Sequence, residues 1–320
     1  MRKSAKISLI IAALLLVFGA VLCFGGLTLT HFDLNRLNDP SSLPVTREQV
    51  VSEPFTDLEI DGLSCAVRLR PSADGSCHIR LTTDRPLTLT DSLQGNTLTV
   101  KVEEEHSVRI HFPLRPDELL IELPQAQYGR LEIATASGEI EIPADFTFEK
   151  AKLDATSGSL SLMASVSGAA ELHTSSGAIR IKNTQLGSLE AEAASGTITL
   201  ENLTVKGNAE LEATSGSIIM DGLTAQKLDA ETTSGTIKAI NVLLNEDMDL
   251  ETASGSIRLS SCDAPRIELE SSSGSISGTL RTGKLFSARS SSGSIRLPEN
   301  SGSELCTVTT ASGSIDLSVE

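Results

Sequence analysis

Along most of the chain, apolar and polar residues alternate at every second position, and the alternation is broken at regular intervals by the pair Ser-Gly. A period of two marks strands that bury one face. The pair recurs as Ser137-Gly138, Ser157-Gly158, Ser176-Gly177, Ser195-Gly196, Ser215-Gly216, Ser234-Gly235, Ser254-Gly255, Ser273-Gly274, Ser292-Gly293 and Ser312-Gly313, so that successive glycines lie 19 or 20 residues apart. Such constancy predicts one structural unit stacked on copies of itself, not a row of separate domains.

The residues seven, five and three before each glycine are small or apolar, as in Leu131, Ile133, Thr135 or Leu228, Ala230, Thr232. Two after it stands an aliphatic, such as Ile140, Leu160, Ile198 or Ile315. Inward parity is therefore odd before the glycine and even after it, which predicts a corner at Ser-Gly. The expectation is that glycine supplies a left-handed backbone there and that the serines, at inward parity, stack as a hydroxyl ladder. The other seven or eight residues, such as Asn202-Leu203-Thr204-Val205, form a looser third side. Three sides per turn describe an all-β chain, a parallel β-solenoid of about ten 19-20-residue coils, roughly 48 Å long at about 4.8 Å per coil. A single coil buries too few aliphatic residues to offset the entropy of ordering its backbone, so neighbours must supply the remaining burial and the ladder hydrogen bonds.

Before the repeats the pattern changes. Residues 7–29 carry no charge and follow Arg2, Lys3 and Lys6 in the basic tail 1–6, which predicts one N-terminal transmembrane helix, an uncleaved signal anchor with everything after it extracytoplasmic. A cleaved signal peptide fits less well, since Ala20-Val21-Leu22-Cys23 is not a small-x-small site. Residues 30–49, with Pro40 and Pro44, read as a linker. The stretch 50–130 reads as a β-rich N-terminal cap, folded from near Val51, with hairpin signals at Ala73-Asp74-Gly75 and Gln94-Gly95-Asn96; 131–320 is the repetitive solenoid. The far end shows no cap beyond the charges of Asp316 and Glu320. Cys65 and Cys77 fall on the apolar side of their strands, out of register for a disulfide, and read as small core residues.

Charge narrows the partners. With 42 acidic against 26 basic residues the formal charge is −16, which repels a nucleic-acid backbone. No Trp, one Tyr and eight Phe leave no aromatic platform for stacking on bases or sugars. The outward positions six and four before each glycine gather the acidity. The first column holds Glu171, Glu190, Glu210, Asp229, Asp249 and Glu268, and the second Glu192, Glu212, Glu231, Glu251 and Glu270. Neighbours in a column about 4.8 Å apart repel by roughly 0.9 kcal/mol in water, so the face must be wet or compensated by cations. It reads either as a solvated face that discourages lateral association or as a site for Ca²⁺ or for a cationic partner, an envelope protein or a cationic peptide. Arg180, Lys238, Arg258 and Arg296 form a sparse basic row past the corner, expected to neutralise the acids in part. His31, His78, His106, His111 and His173 show no metal-ligand spacing. Some solenoids are polysaccharide lyases or hydrolases, but these need insertions to wall a cleft, and in a surface ladder nothing is expected to raise one carboxyl over its neighbour.

The anchor, the strand-rich start, the segment Leu119-Leu120-Ile121-Glu122-Leu123-Pro124 with Tyr128 and Leu131-Glu132-Ile133, and the iterated Thr-Ser-Gly-x-Ile motif resemble the putative-adhesin family of membrane-anchored bacterial β-solenoid proteins. That family is a domain of unknown function and includes the membrane-anchored protein of the Lia envelope-stress system. The resemblance covers about residues 50–320. It implies a surface-exposed solenoid in the bacterial cell envelope, tied to adhesion or envelope stress, and carries over no catalytic residues. The expected function is thus a non-catalytic binding or interaction module at the cell membrane; a carbohydrate-active enzyme and a Ca²⁺-stabilised rod stand as alternatives.

Overall fold

The computed structural model describes residues 44–105 and 116–320. The expected transmembrane segment 7–29 and its basic flank lie outside the described residues, as do Cys23, His31, His106 and His111. The described chain is all β and forms one continuous sheet system wound into a solenoid. Each coil lays its strands parallel on those of the next, in register from one repeat to its neighbour: Ile179 pairs with Ile198, Ile198 with Ile218, and Ile218 with Ile237. The inward column after the corner is buried in nine of its ten coils, with Ile140, Leu160, Ile179, Ile198, Ile218, Ile237, Ile257, Ile276 and Ile315 all at 0% exposure; Ile295, in the Gly293 coil, is exposed. Cys65, Cys77, Cys262 and Cys306 are buried free thiols, as core residues should be. Among the described residues the Phe and Tyr rings, Phe286 apart, gather in the first coils, where Tyr128 packs between Phe55, Phe146 and Phe148.

The corner is not built as expected. All ten Ser-Gly serines are exposed, because the two residues before each glycine both turn outward. The ladder there is made by backbone: Ser195 N donates to Ser175 O at 2.9 Å and Ser215 N to Ala194 O at 2.9 Å. The hydroxyl ladder lies three residues before the glycine, on the buried side. Thr174 donates to Gly158 O, Thr232 to Gly216 O, Thr252 to Gly235 O, Ser271 to Gly255 O and Thr310 to Gly274 O, at 2.9–3.2 Å. Nor is any of the ten glycines left-handed. Glycine is required because the stacked corners nearly touch: a Cβ at any of them would lie 1.6–2.0 Å from the carbonyl oxygen of the coil beside it.

Five left-handed residues mark a second corner, six positions after the glycine. Asn183, Asn202, Gly222, Asn241 and Ser261 have φ between 51° and 75°. Asparagine tolerates that region, and Asn202 Nδ2 donates to Asn183 Oδ1 at 3.0 Å, one rung of an amide ladder along the rod.

Both ends of the stack depart from chain order. The strand Val45–Val51 starts six residues before the expected folded region and pairs antiparallel with Cys77–Thr83. Of the two hairpin signals, Gln94-Gly95-Asn96 joins the paired strands Leu87–Gln94 and Thr97–Glu104. The other does not close a hairpin: Glu118–Leu123 lies between Ala66–Pro71 and Cys77–Thr83 and pairs with both. The segment read as a cap carries two parallel levels and, outside them, the antiparallel strands Cys77–Thr83 and Leu87–Gln94. Asp57–Asp61 and Ala66–Pro71 stack directly beneath the Gly138 coil, with Thr97–Glu104 and Glu118–Leu123 beneath them. At the other end, Leu305–Thr310 and Ile315–Val319 slot between the Gly274 coil and the Gly293 coil. The outermost level is thus Leu285–Ser290 with Ile295–Arg296, and the end formed by the last residues of the chain is covered. Lys284, with no exposed side-chain surface, ties this crossover by reaching Asp263 at 2.6 Å, Ala264 O at 2.8 Å and Glu304.

Candidate functional site

Because the strands before the corner are straight, parallel and in register, each outward side chain stands directly over the equivalent one in the next coil. The pairings run Glu171, Glu190, Glu210, Asp229, Asp249, Glu268 in one row and Glu192, Glu212, Glu231, Glu251, Glu270 in the other. Ten of these eleven are exposed and Glu171 is half-buried. Lys152 lies below Glu171 and Asp154 below His173, while the rows end at Thr307 and Thr309, the latter beside Arg289.

The ion pairs beside the face lie on its flank and involve acids outside the two rows. Lys227 reaches Glu246 at 3.2 Å and Asp247 at 3.1 Å, and Arg266 reaches Asp247 at 3.0 Å. Among the described residues, the ion pairs within 4.0 Å touch only Glu190 of the eleven, through His173. The basic row expected to neutralise them does not do so: Arg180, Lys238, Arg258 and Arg296 make no ion pair among the described residues, because they project from the next side of the coil. Repulsion shows instead in the acids themselves. Asp249 is raised to about 6, first by loss of water around it and then by the charges of Asp229, Glu268 and Glu251. Glu251 is raised as well, by desolvation and by Glu231 and Glu270. The expectation that nothing in the ladder would raise one carboxyl over another is therefore overturned.

Two features were missed from sequence. An open groove of about 580 Å³ runs along the corner from Asp61 to Thr214, floored by small residues such as Ala136, Thr156, Ser175 and Ala194 and edged by Asp154, His173, Glu192 and Glu212. In addition, His173, Glu190 and Glu192 bring one ligand atom each to within 4.8 Å of one another. No spacing of histidines signals this cluster. The signal is the place of His173 in the acidic column, four before Gly177, where the repeat turns linear distance into contact.

The description Toastrack DUF4097 matches this chain over residues 55–318. The chain belongs to that family. Its fold recurs in solved structures of low identity. A putative adhesin from Parabacteroides distasonis is 13% identical, with 86% of this chain and 98% of that one covered at a TM-score of 0.52. A putative adhesin from Parabacteroides merdae is 15% identical, covering 87% and 97% at 0.52. A putative lipid binding protein, also from Parabacteroides distasonis, is 20% identical, covering 87% and 98% at 0.50. Among curated proteins none matches the chain significantly. At these identities the likeness establishes the family's solenoid architecture.

Proposed function

We propose that this chain is a membrane-anchored, extracytoplasmic interaction module, adhesin-like or engaged in envelope stress, whose acidic face binds a cationic partner without catalysis: an envelope protein with a basic surface or a cationic peptide. The observation that carries the reading is the face itself. Ten of its eleven carboxylates lack an ion-pair partner among the described residues, and Asp249 and Glu251 are raised by desolvation and then by their like-charged neighbours, so an arriving cation relieves the repulsion within the rows. A partner that places several cations along the rows would gain on-rate and specificity from the field. The uncharged stretch 7–29 behind three basic residues supports the anchor.

The test is binding of a defined lysine-rich peptide and of its uncharged analogue to the full chain, at low and at physiological salt. The charged peptide should bind, more weakly as salt rises, and should lose affinity to the variant Glu212→Gln/Glu231→Gln/Glu251→Gln/Glu270→Gln. Equal binding of the two peptides, or full affinity in the variant, would remove the reading. A carbohydrate-active enzyme finds less support: the groove ends at Glu212 and Thr214, whereas the raised carboxyls Asp249 and Glu251 stand two coils further along.

A further inference from the structure

His173 interrupts a row of carboxylates, and its surroundings fix what its ring presents. Nδ1 lies 3.1 Å from Asp154 Oδ1 in the coil below. A carboxylate only accepts, so Nδ1 carries the hydrogen that Asp154 receives, and Nε2, on the far side of the ring from Asp154, is the nitrogen free to ligate when the ring is neutral. What it meets is another acceptor: Glu190 Oε1 at 3.7 Å, too far for a hydrogen bond. Glu192, directly above His173 in the register, brings a second carboxylate, and the three ligand atoms all lie within 4.8 Å. A tetrahedral ion with bonds of about 2.0–2.1 Å holds its ligand atoms roughly 3.3 Å apart. The His173–Glu190 edge is thus about 0.4 Å longer than that, and the other two edges, each within 4.8 Å, close by rotation of the side chains.

We propose that His173, Glu190 and Glu192 form a site for a divalent transition-metal ion of the zinc class, held across neighbouring coils. One imidazole and two carboxylates are a zinc donor set, and they supply too few oxygens for the six to eight that Ca²⁺ takes. Asp154 is the positioning residue: it fixes the tautomer and aim of the imidazole, as the outer carboxylate does behind metal-bound histidines. Two of the three ligands, His173 and Glu192, also line the groove, so a water or a ligand group from a bound partner would complete the sphere from that side. This site stands whether or not the face binds a cationic peptide.

The test uses the full chain, stripped of metal, titrated separately with Zn²⁺ by calorimetry and with Co²⁺ by visible absorption. One ion per chain is expected, with Co²⁺ bands of nitrogen and oxygen coordination and no thiolate charge-transfer band. His173→Gln and the pair Glu190→Gln/Glu192→Gln should each weaken binding by roughly ten-fold or more, and Asp154→Asn by on the order of 10- to 100-fold. Glu231→Gln/Glu251→Gln, two carboxylates of the same rows without a histidine, should leave affinity unchanged. Circular dichroism of each variant confirms that it is folded. Absence of a one-to-one isotherm, wild-type affinity in folded His173→Gln, or an equal loss in the Glu231/Glu251 variant would overturn the site, the last by showing that the diffuse charge of the rows holds the ion. Displacement of Zn²⁺ by a modest excess of Ca²⁺ would overturn the assigned metal class.

Discussion

Replacing Gly196 by alanine isolates the physical reason for the repeat. The new Cβ would lie 1.7 Å from Gly177 O and 2.6 Å from its carbonyl carbon, where ordinary contact begins near 3.4 Å. Both atoms are backbone, so no side chain can swing aside and the corner must open by more than an ångström. Three ladder bonds sit at that corner: Ala194 N to Thr174 O at 3.0 Å, Ser195 N to Ser175 O at 2.9 Å, and Ser215 N to Ala194 O at 2.9 Å. At about 1 kcal/mol each, their loss costs about 3 kcal/mol before any packing is disturbed, and the lower chain entropy of alanine returns only about 0.4–1 kcal/mol. Gly95→Ala is the comparison: Gly95 is left-handed at φ 61° with no atom within 4 Å of an added Cβ, so its cost is about 1–2 kcal/mol of backbone strain alone. Urea unfolding followed by far-ultraviolet circular dichroism measures both. A third variant separates close approach from backbone handedness. Gly196→Asn should be at least as damaging as Gly196→Ala if sterics govern, whereas asparagine would be mild if a left-handed corner were the reason. Gly196→Ala no worse than Gly95→Ala, or a benign Gly196→Asn, would refute the argument.

Other consequences are open to the same measurements. Thr252→Val keeps the shape but removes the hydroxyl that Gly235 O accepts at 3.2 Å, and should cost about 1 kcal/mol; a neutral result would mean the buried hydroxyl ladder contributes nothing. Lys284→Met leaves Asp263 and Glu304 without their shared cation; because both acids reach solvent the loss should be about 2 kcal/mol, below the range for a fully buried pair, and an unchanged urea midpoint would contradict it. Asp249 is raised to about 6 in the folded chain against about 3.9 when unfolded, so the folded state holds this proton more tightly. Its stabilising contribution is complete below about pH 4 and lost as pH rises through about 6. The thermal midpoint should therefore fall between about pH 5 and about pH 7.5 by less in Asp249→Asn than in the wild type; identical falls would place the repulsion elsewhere.

The parity of two and the period of 19–20 were enough to read the buried isoleucine column and to name which acids share a row, because in a parallel stack register follows directly from spacing. What periodicity does not carry is the reason a position repeats. Gly196 and its equivalents recur at a corner, and a left-handed turn accounts for that as well as steric contact does; only the distance to the neighbouring carbonyl separates them. Asn183, Asn202 and Asn241 recur at the same period and mark the left-handed corner, but Gly222 and Ser261 in the same column obscure it. The buried hydroxyls at Thr174, Thr232 and Thr252 were legible as inward residues, and their acceptors were not, since those belong to another coil. The place of the Gly293 coil was hidden for a different reason: a level inserted out of order keeps the same spacing along the chain. His173 was passed over because its partners Asp154 and Glu190 are 19 and 17 residues away, and only stacking makes them neighbours.

That inserted level changes how the rod would carry load. In a solenoid wound strictly in order, tension on the final strand peels one ladder open, bond after bond. Here a pull on residues 305–319 meets two ladders at once, one shared with the Gly274 coil and one with the Gly293 coil, and the Lys284 clasp bridges the crossover loops behind them. The far end is therefore latched: it resists as a sheared three-layer joint, and the first piece to yield is the outer coil 285–296, which can swing out as a loop while the strands beneath it stay paired.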